Sequence, residues 1–462
     1  MATISRFKDR LWSEQPRAQA LLQGVLAEIL DRSPSTARLA QRLLDTTAVR
    51  LRDIIDHLVI ADAGVLAEAR AAGWARSAAG VWTHPEGMFP ALLDGSRSEL
   101  WLRVESVDTA VAVLGSQSPI DGPLHGRFRR AVVQTEGGVV IGVLERCGFP
   151  GYELPGDAPA TIRRARLALQ SFRSRRREFD RVEQGLVATE SMVDAAVADI
   201  GEHWACDLWL RAEREYWIRR CAPGRMQKER QDAAGIGFAN IDHHTYDGSR
   251  RHFRHTIRIL EKLGYELREM LYAGELSGWG SQVLEQPVIG STIFADVDLA
   301  PHELTVDFAH EELPELPRHR RAGVLCELLG ESILEAGLNH VACLFDQRHF
   351  REQMVARRIS MMAPFTSFPY LYQELTEGDW TAVDARRVDA LEAGGHISAT
   401  EAERLRLDGS ILSHLENIER NNGYKGFNRE GIDSVLRKLD PRVLQGRSGD
   451  TGAGLLRRSG TA

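Results

Sequence analysis

The sequence predicts an α+β fold built on a βαβββ unit that occurs twice, enlarged by helical segments at the start, middle and end of the chain. Three observations carry this expectation. Two β-branched runs centred on Ile-Asp-His, Ile54 to Ile60 and Phe238 to Tyr246, are each followed by a helical stretch and then by strand-like pieces. Between them, Thr161 to Gln231 reads as helical and rich in charge. Beyond Trp380 the chain is again polar with helical character.

The elements follow in order. From Arg17 to Leu58, apolar positions Leu21, Leu22, Val25, Leu26, Ile29 and Leu30 recur at three- and four-residue spacing, the pattern of a helix. Ile54 to Ile60 reads as a buried strand with His57 inside it, and Ala63 to Ala72 as a helix. Strands are expected at Gly80 to Thr83, Leu100 to Val104, Arg130 to Thr135 and Val139 to Glu145. The arginines Arg163, Arg164, Arg166, Arg173, Arg175, Arg176 and Arg177 read as the solvated face of a helical insertion. After the second Ile-Asp-His run comes an amphipathic helix, Ser249 to Leu263, closed by Gly264, a residue at ease in the left-handed conformation that ends helices. Strands are then expected at Tyr265 to Tyr272, Ser281 to Pro287, Ser291 to Leu299 and Glu303 to Ala309. Leu338 to Phe345 offers one more strand, followed by a helix through Arg358. The expected parts are a helical segment (1–50), a first module (51–160), a helical insertion (161–235), a second module (236–320), a helical region with room for an extra βα unit (321–445) and a disordered tail (446–462).

Composition narrows the function classes. The 462 residues carry 58 Lys+Arg against 65 Asp+Glu, a mildly acidic balance that disfavours a phosphate-tracking nucleic-acid partner. No apolar run is long enough to span a bilayer, and the first residues lack the apolar region of a secretory signal, so a cytoplasmic protein is expected. Cys147, Cys206, Cys221, Cys326 and Cys343 form no C-x-x-C pair and read as buried free thiols.

The repeated histidines carry the chemistry. Two imidazoles on matching strands, completed by one carboxylate, make a two-His-one-carboxylate set that leaves metal positions open and suits non-haem iron(II), with zinc or manganese as alternatives. His57 and His243 supply the nitrogens; Asp307 supplies the oxygen, with Glu311 as the alternative because both lie on one face of an extended segment. His243 and His244 face opposite sides of their strand. Arg318, Arg320 and Arg321 follow the carboxylate segment and could pair with a substrate carboxylate, and His340, in a third Asn-His strand, is a candidate for substrate contact. Neither G-x-G-x-x-G, a P-loop nor G-x-S-x-G is present.

These residues, from about 50 to 320, resemble the vicinal oxygen chelate superfamily. Within it, the order Ile-Asp-His57, helical insertion, Asn-Ile-Asp-His243-His244-Thr245 and Asp307-Phe308-Ala309 is similar to the 2-oxoadipate dioxygenase/decarboxylase (hydroxyglutarate synthase) family. The resemblance implies a metal-centred β-sheet cup, with the family's histidines falling on His57 and His243 and its Glu on Asp307. It also implies an Fe(II) dioxygenase acting on a small 2-oxo acid and O₂; a monomer or homodimer is expected. An isomerase, lyase or hydrolase on the same fold, and a non-catalytic binding protein, remain the alternatives.

Overall fold

The computed structural model describes residues 11–429, 433 and 437–443; the tail expected at 446–462 lies outside them. The N-terminal helix expected from one continuous periodicity is two helices, α1 (Pro16–Arg32) and α2 (Pro34–Thr47). Pro34 has no N–H and crowds the residue before it, so Ser33 leaves the helical region (φ −128°) and the chain restarts.

The first module follows as β1 (Ile55–Ile60), α3 (Ala63–Ala71), β2 (Ala75–Arg76), β3 (Trp82–Thr83) and β4 (Ala91–Asp94). A second, one strand shorter, runs β5 (Ser98–Arg103), α4 (Val107–Val113), β6 (Phe128–Glu136) and β7 (Val139–Arg146). Together they form a seven-stranded sheet in the order β2-β3-β4-β1-β5-β7-β6. The insertion is four helices, α5 (Pro159–Ser174), α6 (Val182–Ile200), α7 (Glu202–Ile218) and α8 (Ala222–Ala233). Its arginines are not all solvated: Arg175 and Arg177 turn inward onto the buried Glu213, at 2.9 and 2.5 Å.

A third module is β8 (Ile241–Gly248), α9 (Phe253–Lys262), β9 (Glu266–Tyr272), β10 (Trp279–Gln286) and β11 (Ser291–Asp298). After α10 (Arg321–Leu329) comes the fourth: β12 (His340–Leu344), α11 (Gln347–Val355), β13 (Thr366–Phe368) and β14 (Leu371–Leu375), then β15 (Asp379–Thr381), α12 (Ala385–Ala393) and α13 (Ala399–Asp408), and finally β16 (Ser410–Arg420). The second sheet runs β9-β10-β11-β8-β12-β16-β14-β13. The α+β class and the βαβββ repeat are therefore what the chain adopts, and the structure extends them: each sheet is a pair of modules. In both sheets the first strands of the paired modules lie side by side and antiparallel, β1 with β5 and β8 with β12. Each of these strands pairs in parallel with the last strand of its own module.

Two further expectations fail for local reasons. Glu303 to Ala309 is not a strand: Pro301 opens a short 3-10 turn, and the Glu303 carboxylate accepts the Ala300 N–H (2.8 Å) and pairs with Arg250. The region beyond Trp380 is not wholly helical, because β16 supplies an eleven-residue strand whose polar residues are buried.

The two sheets share one internal motif. On β1 the register slips at Asp56, and on β8 it slips at the equivalent Asp242, so that each aspartate is the extra residue of a β-bulge. Asp56 pairs bidentately with Arg146 (2.7 and 2.8 Å), and Asp242 with Arg420 (2.6 and 3.1 Å). Each pair spans the intervening strand, β5 or β12. Arg146 also donates to the Phe149 and Gly151 carbonyls; Arg420 donates to those of Tyr424 and Gly426. Both guanidiniums stack on an aromatic ring 4.6 Å away, Tyr152 and Phe427. In sequence this is Glu145-Arg146-Cys147-Gly148-Phe149-Pro150-Gly151-Tyr152 against Glu419-Arg420-Asn421-Asn422-Gly423-Tyr424-Lys425-Gly426-Phe427, with one residue inserted.

The sheets differ at the position between the two elements of the motif. His57 and Gly142 both lie opposite Trp101 on β5, whereas His243 and Glu416 both lie opposite Ala342 on β12. Trp101 stacks on His57 at 5.8 Å and 12° and covers Gly142. A Cβ at residue 142 would stand 2.3 Å from the indole, so Gly142→Ala should destabilise the protein by about 1–3 kcal/mol through overpacking. Urea unfolding should show a lower midpoint at unchanged slope; a midpoint equal to wild type would contradict the close contact.

Candidate metal centre

In the second sheet three side chains converge. His243 on β8, His340 on β12 and Glu416 on β16 place one ligand atom each within 4.8 Å of one another. Glu416 Oε2 is 3.3 Å from His243 Nε2 and 3.0 Å from His340 Nε2. Three adjacent strands deliver them to one face because directly paired residues share a face and His340 stands two residues before Ala342. Ala342, opposite both His243 and Glu416, is small enough to leave the space between them free.

Each ligand is held from behind. The Asp242 carboxylate accepts from His243 Nδ1 at 2.9 Å, which directs Nε2 into the site, and Arg420 fixes Asp242 in turn. His340 Nδ1 lies 3.0 Å from Asn339 Oδ1, and Asn339 donates to Asp247 (2.8 Å). Gln373 on β14 donates to the second Glu416 oxygen at 2.9 Å. Outer contacts of this kind fix ring orientation and tautomer in metal sites.

Electrostatics favour a cation here. Burial opposes charge on His243, yet Glu416 and the hydrogen bond to Asp242 raise its pKa to about 9. Burial likewise opposes ionisation of Glu416, and the two histidines outweigh it, bringing its pKa down to about 2. Asp242 is buried too, but Arg420 and His243 hold it well below the usual carboxylate range. Without a metal, a proton on His243 provides the positive charge that the two carboxylates demand. A divalent ion bound by two imidazole nitrogens and one carboxylate oxygen fits this donor set and displaces that proton.

Beside the triad lies a cavity of about 70 Å³. Its wall is mainly apolar, with Leu271, Phe294, Phe365, Leu375, Phe427 and Leu439 contributing. Arg321 reaches it from α10 under the Trp279 ring, at 4.6 Å, with Asp247 and Asp296 each 3.2 Å away. Thr245 Oγ1 lies 2.8 Å from His340 Nε2 at the same edge.

The structure brings His243 and Arg321 of the expected site residues to this cavity, and with them His340, which stands among the ligand positions rather than only near a substrate. It does not bring His57, Asp307 or Glu311 there. His57 is in the other sheet, hydrogen-bonded to Asp56 (2.7 Å) and packed between Trp101 and Tyr152. Asp307 sits in a surface turn against His310 (2.8 Å), and Glu311 is exposed. Arg318 and Arg320 are exposed, Arg318 bonding to the His396 carbonyl and Glu401. Glu416 was missed because its strand alternates small, apolar and charged residues and follows two helices. The signal that could have found it is the repeated Glu-Arg…Gly-aromatic-x-Gly-aromatic motif, which aligns Glu416 with Gly142 and β16 with the strand expected at Val139 to Glu145.

No family model and no curated protein matches this chain. Among solved structures, a putative hydrolase from Shewanella frigidimarina NCIMB 400 is similar at 15% identity over 48% of this chain and 96% of that one, with a TM-score of 0.32. A mutant 4-hydroxymandelate synthase from Streptomyces coelicolor is similar at 12% identity over 73% of this chain and 95% of that one (TM-score 0.29). Methylmalonyl-CoA epimerase from Mycobacterium tuberculosis is similar at 11% over 40% and 89% (TM-score 0.23).

His414, two residues before Glu416, is buried and donates from Nδ1 to the Thr376 carbonyl at 2.8 Å. Burial lowers its pKa from 6.5 to about 4. A depressed pKa leaves its contribution intact above the unfolded value and removes it as pH falls, so His414 should cost about 3 kcal/mol of stability between pH 6.5 and 4. Urea unfolding of wild type and His414→Gln across this range should show their stability difference shifting by that amount. A pH-independent difference would show that His414 is not held neutral.

Proposed function

We propose that this chain is a metal-dependent enzyme of the vicinal oxygen chelate kind, a non-haem Fe(II) dioxygenase acting on a small 2-oxo acid. The observation that carries the reading is the convergence of His243, His340 and Glu416 on one side of a cavity, each oriented by a second hydrogen-bonded group. When bound there, iron offers open positions for a chelating 2-oxo acid and for O₂.

The remaining steps belong to the chain's own residues. Asp242 and Arg420 keep the imidazole of His243 in one orientation, and Gln373 holds Glu416, so these two side chains are already oriented before an ion would bind. Phe294 and Phe427, packed 4.6 Å apart over His243, exclude water from its flank. Arg321 is less suited to a distal substrate carboxylate than the sequence suggested, because Asp247 and Asp296 already balance its charge. With an otherwise apolar wall, this favours a 2-oxo acid whose far end is apolar over a dicarboxylate such as 2-oxoadipate.

Elemental analysis of freshly purified protein should find stoichiometric metal in wild type, His57→Ala and Asp307→Ala, and loss of it in His340→Ala and Glu416→Ala. Oxygen uptake under a panel of 2-oxo acids should depend on iron and favour apolar chains. Metal retained in Glu416→Ala would remove the ligand assignment. Metal binding without oxygen uptake would move the reading to an isomerase, lyase or hydrolase.

A further inference from the structure

On the other face of β8, where His244 points, the two sheets and helices α5 and α7 enclose a second cavity, of about 170 Å³. Its acidic residues are largely engaged. Glu105 pairs with Lys228 (3.1 Å) and accepts the Phe238 N–H (2.8 Å); Glu145 accepts the Val107 N–H (2.8 Å) and pairs with Arg129 (3.2 Å). Asp242 is held by Arg420, and Asp207 accepts the Gly148 N–H at 2.8 Å. Of the arginines on the wall, Arg146 is neutralised by Asp56.

The other four are not balanced in this way. Among the described residues, the side chains of Arg103 and Arg166 make no hydrogen bond and no ion pair, their main chains being held in β5 and α5. Arg214 donates to the neutral His244 Nε2 at 3.3 Å and makes no ion pair, although its charge, after that of Lys228, helps to hold the Glu105 carboxyl below its ordinary pKa. Arg211 has Glu215 at 3.6 Å, a carboxylate already gripped at both oxygens by Arg173 (2.7 and 2.6 Å), and its buried Nε has no hydrogen-bond partner. The excess positive field reaches the rim, where burial, and then Arg166 and Arg211, push the pKa of His125 below its ordinary value. Arg103 and Arg214 are half-buried, and desolvated guanidiniums are costly unless an anion completes them. A planar guanidinium matches an oxyanion with two parallel N–H bonds.

We propose that this inter-sheet cavity is a binding site for a small oxyanion, a carboxylate or phosphate group gripped by Arg103, Arg211 and Arg214, with Arg166 at its mouth. The site is separate from the metal centre: β8 presents His243 to one and His244 to the other. Isothermal titration of the full-length protein with inorganic phosphate and with malonate, at ionic strength matched by sodium chloride, tests it.

Saturable binding of at least one probe is expected, and which one binds identifies the oxyanion. The double variant Arg103→Met/Arg214→Met should bind it at least about tenfold more weakly while keeping its metal content. Should that variant not fold by circular dichroism, Arg166→Glu, an exposed charge reversal, replaces it with the same expectation. Absence of saturable binding by either probe, or unchanged affinity in the folded variant, overturns the proposal.

Discussion

The buried ion pair between Asp242 and Arg420 is the constraint on which the rest of the second sheet depends. It joins β8 to β16 across β12, and its carboxylate also holds His243 Nδ1, so one interaction sets both the spacing of the three strands and the aim of a ligand. Burying such a pair is favourable only when every donor and acceptor is used. Here the guanidinium uses its remaining donor on the Tyr424 and Gly426 carbonyls and lays its face on Phe427. The bulge at Asp242 makes the arrangement possible, because an extra residue re-aims a carboxylate that regular alternation would send to the opposite face.

The same device at Asp56 and Arg146 shows how little separates the sheet that gathers two histidines and a carboxylate from the one that, among the described residues, does not. Scaffold, bulge, ion pair and aromatic lid are all repeated around His57. What differs is the residue opposite the histidine and the residue across from it. Trp101 and Gly142 fill the first site with an indole; Ala342 and Glu416 leave the second open and charge it. Two side chains of complementary volume are exchanged, while backbone pairing is preserved. The pair of sheets thus behaves as one supporting and one chemically equipped copy of a single design.

The sequence revealed much of the fold through periodicity. Strands carrying β-branched runs, such as Ile55–Ile60 and Ser291–Asp298, and the amphipathic helix Phe253–Lys262 lie within a few residues of their expected places. Strands that bury polar residues on both faces were not legible. β16 carries His414, Glu416 and Asn417 inside the protein, where pattern reading places polar residues outside. The Asp307 segment erred in the opposite direction: an apolar-acidic alternation suggested a strand, while Pro301 and the Glu303 cap fixed a turn. His243 was recognisable because the Ile-Asp-His motif repeats; its pairing with His57 was not, since a repeat reports equivalence rather than contact.

By itself, then, the sequence determined the α+β class, the βαβββ unit, the place of His243 in a buried strand and the presence of a helical insertion, because these are written in local periodicity and in short repeated motifs. Tertiary structure alone decided that His243 meets His340 and Glu416, residues 97 and 173 positions later. Strand order makes those contacts: β8, β12 and β16 are neighbours in space and distant along the chain. Register then selects which side chains share a face, and the volume of Ala342 against Trp101 selects which of two equivalent faces stays open.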